Sequence, residues 1–233
     1  MKEVFSSARR VCVLTGAGVS AESGVPTFRG GGGTAVWKGM PFVMISSAEM
    51  VERDLDEVWA WFDYRRDAIK DKQPNPGHIA LVQWQERFED FTLVTQNIDG
   101  LHWMAGSRDV IELHGNIQRA RCIRCETKYE LNRAMKHEPE VCLDCNAKLR
   151  PDVVLFGEYL PIGAFERASQ KARACDLFFV IGTSALVYPA AALPEIAREA
   201  GAYLVEVNPE LTPLSDICDE VLQGKAGEIL PLL

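Results

Sequence analysis

Positive charge is in short supply in this chain: 25 lysines and arginines face 33 aspartates and glutamates, for a formal charge of -8. A protein that grips nucleic acid needs clustered cations to displace the counterions of the phosphate backbone, so nucleic acid is not expected as a direct partner. The one local concentration, Arg119, Arg121, Arg124 and Lys128, is diluted by Glu126, Glu130, Glu138 and Glu140 and reads as a solvated face. The first ten residues hold no apolar core of signal-peptide length. No unbroken membrane-length run exists either. Residues 177–194 are uncharged, but Gly182, Thr183, Ser184 and Pro189 divide them into strand, loop and helix. A cytoplasmic location with no membrane partner is therefore expected. Histidine is scarce, with four, so each one bears on where chemistry can occur. Internal repeats are missing, and low complexity is confined to Gly30, Gly31, Gly32 and Gly33, which read as a loop.

What the chain does have is core material. Hydrophobic residues make up 47% of its 233 positions, enough for one large domain with inserts. Near-continuous apolar runs at 11–14, 91–94, 177–181 and 203–207 alternate with helical patterns at 47–70, 78–87, 165–174 and 190–200. Strands apolar on both faces belong to a parallel sheet covered by helices on both sides. The fold class is therefore α/β, a Rossmann-like doubly wound parallel sheet. Met50, Leu55, Val58, Trp59, Phe62 and Ile69 recur at helical spacing behind a Ser47 N-cap and predict one helix over 47–70. Between Arg119 and Arg150 the pattern breaks into short polar pieces. The expected organisation is a single unit. Its sheet domain occupies about 1–29, 91–118 and 151–233, with a helical insert at about 30–90 and a small insert at about 119–150.

The small insert carries two Cys-x-x-Cys pairs, Cys122/Cys125 and Cys142/Cys145, separated by sixteen residues. Four thiolates at this spacing match a closed tetrahedral zinc site that leaves no position open to substrate. One structural zinc is expected, in a ribbon with too little apolar surface to fold without it. The chemistry then lies elsewhere. Cys12, Cys175 and Cys218 have no pairing pattern and read as free thiols of a reducing compartment.

Strand ends carry the remaining signals. Gly16, Gly18 and Ala21 follow the first apolar run in the spacing of a dinucleotide turn, where small residues let the backbone approach a pyrophosphate at a helix N-terminus. The usual ribose partner, an acidic residue ending a second strand about twenty positions on, is missing. Asn208, after the run at 203–207, is one candidate for that role; a plain strand-end turn before Pro209 is the other reading. Gln96, Asn97 and Asp99 follow the run at 91–94, at the carboxyl edge where open α/β sheets bind ligands. Two amides and a carboxylate suit a carboxamide and ribose hydroxyls, while Asp99 also suits a helix cap. His114 ends Val110-Ile111-Glu112-Leu113 beside Gly115 and is the histidine best placed for acid–base work. His78 reads as a helix-start residue, His137 as insert surface, and His102 shows no partner pattern.

The stretch Gly16-Ala17-Gly18-Val19-Ser20-Ala21-Glu22-Ser23-Gly24-Val25-Pro26-Thr27-Phe28-Arg29 resembles a sirtuin motif, as do Gln96-Asn97-Ile98-Asp99 and Leu113-His114-Gly115. So do the four cysteines, Val153-Val154-Leu155-Phe156-Gly157-Glu158 and Gly182-Thr183-Ser184, all in sirtuin order and across nearly the whole chain. The compact length is most similar to bacterial and archaeal sirtuins. The resemblance implies an NAD-dependent protein-lysine deacylase, with NAD as co-substrate and acylated lysine in proteins or peptides as partner. The acyl group would pass to ADP-ribose with release of nicotinamide.

Carried over by motif, Gly16, Ala17, Gly18, Ser20 and Glu22 belong to the pyrophosphate turn. Thr27, Phe28, Arg29 and Trp37 belong in or after the segment that closes over the nicotinamide. Gln96, Asn97, Ile98 and Asp99 shape the ribose and carboxamide pocket, and Gly182, Thr183, Ser184, Asn208, Pro209, Glu210 and Ala226 surround the phosphates and adenosine. The missing acidic residue is then accounted for by Asn208 on a later strand. The implied catalytic residues are His114, taking a proton from the ribose hydroxyl system, and Asn97. Implied substrate contacts are Phe62, Arg65, Val154, Phe156, Gly157, Glu158 and Val187. Phe28, Val154 and Phe156 would keep the site dry against hydrolysis. The polypeptide would lie extended between Gly157-Glu158 and Ala185-Leu186-Val187, adding a strand.

Some sirtuins remove succinyl and malonyl groups with a Tyr and an Arg three residues later. Phe62 stands at the first position here and Arg65 at the second, so deacetylation is implied first, and desuccinylation or demalonylation rests on half a clamp. Three other readings stay open. ADP-ribosyl transfer to protein shares the cofactor cleavage; an NAD-linked dehydrogenase with a structural zinc lobe needs a further catalytic cluster; an NAD-sensing zinc-ribbon binding module needs no base.

Overall fold

The computed structural model describes residues 1–26, 36–131 and 141–233. In chain order the strands are β1 (Arg10–Thr15), β2 (Val36–Trp37), β3 (Met40–Pro41), β4 (Asp90–Thr95), β5 (Ile111–Glu112), β6 (Gly115–Cys122), β7 (Lys128–Glu130), β8 (Leu149–Val153), β9 (Leu177–Ile181), β10 (Tyr203–Asn208) and β11 (Glu220–Gln223). The helices are α1 (Lys2–Ser7), α2 (Gly18–Ala21), α3 (Phe42–Ile45), α4 (Ala48–Arg53), α5 (Leu55–Ile69), α6 (Pro76–Arg87), α7 (Leu101–Ala105), α8 (Ala164–Ala174), α9 (Leu193–Glu199) and α10 (Ala226–Ile229).

Six strands form the frame, in the order β11-β10-β9-β1-β4-β5, with every pairing parallel. The reason is visible in β9, Leu-Phe-Phe-Val-Ile, which is buried at all five positions. Alternate side chains point to opposite faces of a strand. Leu177, Phe179 and Ile181 therefore join Val11, Val13, Leu93 and Val205 under Leu81 and Trp84 of α6. Phe178 and Val180 join Cys12, Leu14 and Leu204 under Ala168 and Ala172 of α8 and Leu193 of α9. Each large side chain so buried contributes about 1.5–3 kcal/mol relative to exposure. The doubly wound sheet expected from the apolar runs is present.

The chain lays β4 and β5 on one side of β1, then returns to lay β9, β10 and β11 on the other. The strand order thus reverses between β1 and β9. In such sheets the connections leaving the two central strands diverge, and a crevice opens at their carboxyl ends.

The helical and cysteine inserts pack together as a second lobe. Strands β7, β6 and β8 form an antiparallel sheet, and Ile117, Ala120, Cys122, Leu149 and Val153 share one core with Ile45, Val58, Trp59, Trp61 and Phe62. The Trp59 indole N–H donates to the Leu149 carbonyl at 2.9 Å. The predicted single helix over 47–70 is instead two. Ser47 caps α4 through its hydroxyl, which accepts from the Met50 N–H, but Asp54 leaves helical geometry (φ -155°, ψ 81°) and caps α5 by accepting from the Glu57 N–H at 3.0 Å. An aspartate that caps one helix ends the one before it. Residues 177–194 divide into β9, a loop and the start of the α9 region, and no helix among the described residues is long and apolar enough to cross a membrane.

Candidate active site at the sheet switch point

The turns after β1 and β9 meet face to face. Gly16 N–H donates to the Ile181 carbonyl at 3.0 Å and Gly18 N–H to the Gly182 carbonyl at 2.7 Å. A Cβ on Gly18 would lie 2.7 Å from Gly182 Cα, and one on Gly182, at φ +58°, would lie 2.5 Å from the Val19 nitrogen. No other residue fits at this approach. The small residues of the dinucleotide turn therefore serve backbone packing as well as any ligand.

From this junction a cavity of about 1470 Å³ runs toward the second lobe. Gly16, Ala17, Gly18, Glu22, Gln96, Asn97, Ile98, His114, Gly182, Thr183, Ser184, Asn208, Pro209 and Glu210 line it, together with Phe62, Arg65, Val154, Phe156, Gly157, Glu158 and Val187. Four of the other candidates, Ser20, Asp99, Ala226 and Trp37, do not line it. Ser20 is fully buried, and its hydroxyl accepts from the Asn97 side-chain amide at 3.3 Å. The Asp99 carboxylate accepts from the Leu101 N–H at 2.9 Å from one position before Gly100, the N-cap of α7. Ala226 is buried in α10, whose Gly227 N–H donates to the Glu22 carboxylate at 2.7 Å. Trp37 packs on Trp61 and Tyr64 in the second lobe. Thr27, Phe28 and Arg29 lie outside the described residues, as do Gly30 to Gly33, His137, Glu138 and Glu140.

His114 is placed by its neighbours at both ends. Its backbone carbonyl accepts from the Val154 N–H at 3.0 Å, and its ring Nδ1 lies 3.0 Å from the Gln96 carbonyl. A carbonyl only accepts, so the neutral ring carries its proton on Nδ1 and keeps the Nε2 lone pair as a base. Burial pushes its pKa below the ordinary value, against the pull of the Gln96 carbonyl. The ring is therefore neutral near pH 7.

The amides are oriented as firmly. Gln96 Nε2 donates to Thr183 Oγ1 at 2.9 Å, Asn97 Nδ2 to the Gly16 carbonyl at 3.0 Å, and Asn208 Nδ2 to the Thr183 carbonyl at 3.1 Å. These three bonds tie the ends of β4, β1, β9 and β10 together around the crevice. Arg65 enters from α5. Burial pulls its guanidinium down to about 10, opposed by the Asp99 carboxylate, so it remains a cation in the cavity wall. Phe62, one turn before it, is almost fully buried, while Tyr64 is 56% exposed and stacks on Trp61.

Sequence reasoning placed His78 at a helix start, as found, but missed the other supports behind these walls. Thr15 Oγ1 lies 2.8 Å from Thr95 Oγ1 and 2.9 Å from His102 Nε2, and the Thr95 hydroxyl accepts from the Asn97 N–H at 3.0 Å. His78 opens α6, where its Nδ1 accepts from the Asn75 N–H, and its ring stands 4.9 Å from that of His102. Glu206, fully buried in β10, accepts from the Thr212 and Ser215 hydroxyls and so holds the loop that follows Asn208. A charge inside an apolar strand run was the signal available for Glu206. His102 gave none, because its hydroxyl partner Thr15 is 87 residues distant.

In the second lobe the sulfurs of Cys122, Cys125, Cys142 and Cys145 lie within 4.8 Å of one another. Pairs stand 3.4 Å and 3.5 Å apart, near the roughly 3.8 Å edge of a tetrahedron with zinc–sulfur bonds of about 2.3 Å. The Arg124 and Cys125 N–H groups donate to Cys122 Sγ, as expected for a thiolate ligand in a tight knuckle. The donor set fits one structural zinc.

A Sir2 family model matches residues 16–189, from the glycine turn through the loop beyond β9. The chain belongs to the Sir2 family. It is 46% identical over 231 residues to NAD-dependent protein deacylase 2 of Pyrobaculum aerophilum, covering 99% of this chain and 92% of that one. It is 48% identical over 233 residues to an NAD-dependent protein deacylase of Thermus thermophilus, covering 98% and 91%. Among solved structures it is similar to a Sir2 homologue in complex with NAD, at 40% identity and a TM-score of 0.90, covering 98% of this chain and 89% of that one. For this Sir2-family chain, the Rossmann-like sheet and the cysteine lobe are thus supported by both sequence and fold.

Proposed function

We propose that this chain is an NAD-dependent protein-lysine deacylase working in a reducing, cytoplasmic setting. Its cleft takes NAD along the β1/β9 junction and an acylated lysine from the Phe156 side. The observation that carries this reading is the position of His114: a neutral imidazole, locked by Gln96 with its Nε2 lone pair free, between a dinucleotide turn and an apolar wall. A sensing module has no use for that base, and a dehydrogenase would need a further catalytic cluster, whereas the four cysteines are the one metal-type group among the described residues. NAD supplies an ADP-ribosyl electrophile with nicotinamide as leaving group. Gln96, Asn97 and Asn208 orient it, Ile98, Val154 and Phe156 exclude water, and His114 accepts a proton from the ribose hydroxyls. The acyl group passes to a ribose hydroxyl, and one water, admitted after nicotinamide has left, completes the balance as the lysine amine is freed.

Acyl choice follows from Phe62 and Arg65. Phe62 offers no hydroxyl and Tyr64 is turned away from the cavity, so a carboxylate-bearing acyl chain meets Arg65 alone. Acetyl-lysine is the preferred substrate, and succinyl-lysine is a weaker one. The test is turnover of acetyl-, propionyl- and succinyl-lysine forms of one peptide with NAD, followed by mass spectrometry. Free nicotinamide and acylated ADP-ribose are the expected products. NAD reduction, or ADP-ribose attached to protein without deacylation, would replace this reading. Succinyl turnover should fall about tenfold or more in Arg65→Met, the loss of one charge-assisted hydrogen bond, with acetyl turnover retained.

A further inference from the structure

The carboxylate of Glu158 is spent on the protein itself. Arg150 donates to it through both terminal nitrogens, Nη1 to Oε1 and Nη2 to Oε2 at 3.0 Å, and the Leu155 N–H donates to Oε2 at 2.8 Å. Arg121 Nη2 stands 3.8 Å away as a second cation. Arg150 is 6% exposed on β8, and its Nη2 also donates to the Val153 carbonyl at 3.1 Å. Its neighbour Asp152 pairs instead with Arg119 and Lys128, each at 3.0 Å, so Glu158 is the carboxylate that balances Arg150.

That fork closes a turn. Glu158 N–H donates to the Leu155 carbonyl at 3.0 Å, with Gly157 at φ +89° in the position where a type II turn requires glycine. The strap that leads into it is pinned on both sides. Val154 N–H donates to the His114 carbonyl, Phe156 N–H to the Ser46 carbonyl, and Ala48 N–H to the Phe156 carbonyl. The Gly157 N–H and carbonyl, by contrast, have no hydrogen-bond partner among the described residues, and Gly157 lines the cavity. A main-chain edge is thus left open at the end of a strap whose other groups are satisfied.

We infer that Arg150 is a positioning residue for the acyl-lysine polypeptide, acting through Glu158 to hold the Leu155–Glu158 turn so that the Gly157 edge and the Phe156 wall meet the incoming chain. This role rests on the deacylase reading. A buried bidentate pair fixes geometry more than it adds stability, and replacing both partners by neutral groups of similar size often leaves stability near that of the parent. Positioning and folding can therefore be separated. Losing the pair should loosen peptide binding and leave the NAD junction, on the far side of His114, as it was.

The experiment is steady-state kinetics on the zinc-loaded chain with an acetyl-lysine peptide and NAD, for wild type, Arg150→Lys and the double variant Arg150→Met/Glu158→Gln. The double variant should raise the peptide KM about tenfold, the equivalent of one charge-assisted hydrogen bond, with the NAD KM within about twofold of wild type. Arg150→Lys restores one of the two bonds, and its peptide KM should fall between those two values. If the double variant melts early, Arg150→Lys carries the test alone. A peptide KM equal to wild type in whichever variant is folded overturns the role, as does a parallel rise in both KM values. Wild-type protein that turns over no acyl peptide overturns the deacylase reading, and this role with it.

Discussion

His114 concentrates the chemistry in one side chain, and what surrounds it decides its strength. The Gln96 carbonyl selects the tautomer, and burial lowers the pKa, so the base is in its active form through the neutral range. Removing it as His114→Ala should cut deacylation by about 10² to 10⁴ while NAD still binds, a split read by turnover beside calorimetry. The rate of the unaltered protein should fall only as pH drops below the ordinary histidine value of 6.5, because the ring protonates below it. An acid limb centred above 6.5 would mean that another group is the base. The position was legible in the sequence as a histidine at a strand end beside a glycine. Its tautomer was not, since that depends on a carbonyl 18 residues away.

At the scale of elements, the zinc lobe is a scaffold for the substrate side of the cleft. Strand β8 enters the Val153–Glu158 strap directly, and Trp59 of α5 donates to Leu149 of the same strand. The four cysteines gather the outer ends of β6, β7 and β8, whose Ile117, Ala120, Leu149 and Val153 share a core with α5, so a zinc bound there would fix that sheet against the helix. Stripping the zinc with a chelator, or Cys142→Ser, should lower the melting temperature and abolish peptide turnover, as β8 and α5 loosen together. Metal-free protein that stays folded and active would remove the scaffold role. The cysteine spacing announced the site from sequence. The joining of the two inserts into one core did not show there. Trp59 reaches a strand 90 residues on, and helical periodicity says only that such a face is buried. The break at Asp54 within 47–70 was hidden for a related reason: a polar residue fits the solvent face of a long helix as well as a break between two short ones.

Across the whole molecule, the sheet was readable because its strands are apolar on both faces, whereas the polar girder beneath the site was hidden by distance along the chain. That girder sets the acid tolerance of the fold. His78 and His102 are both below 3% exposed, between the sheet and the first turns of α6 and α7. Burial lowers the pKa of His78 to about 4 and that of His102 well below its ordinary value, with His78 adding to the second shift. His114 shifts in the same direction. The unfolded chain then binds more protons than the folded one below pH 6.5, so stability is fully present above that pH and declines as the pH falls toward about 4. Each histidine contributes a slope of about 1.4 kcal/mol per pH unit inside its window. The carboxylates with lowered values, Glu57 and Asp176, act below their ordinary values of 4.5 and 3.8, whereas the zinc thiolates take up protons on unfolding across the whole range, so the part of the decline that a histidine substitution removes is what reports the histidines. Urea unfolding of the zinc-loaded protein between about pH 7.5 and 5 should show that decline, and His78→Gln should flatten part of it. A pH dependence that His78→Gln leaves unchanged would mean that the histidines are protonated, or solvated, in the folded protein, and that the Thr15, Thr95 and His102 network does not support Asn97 as a dry girder.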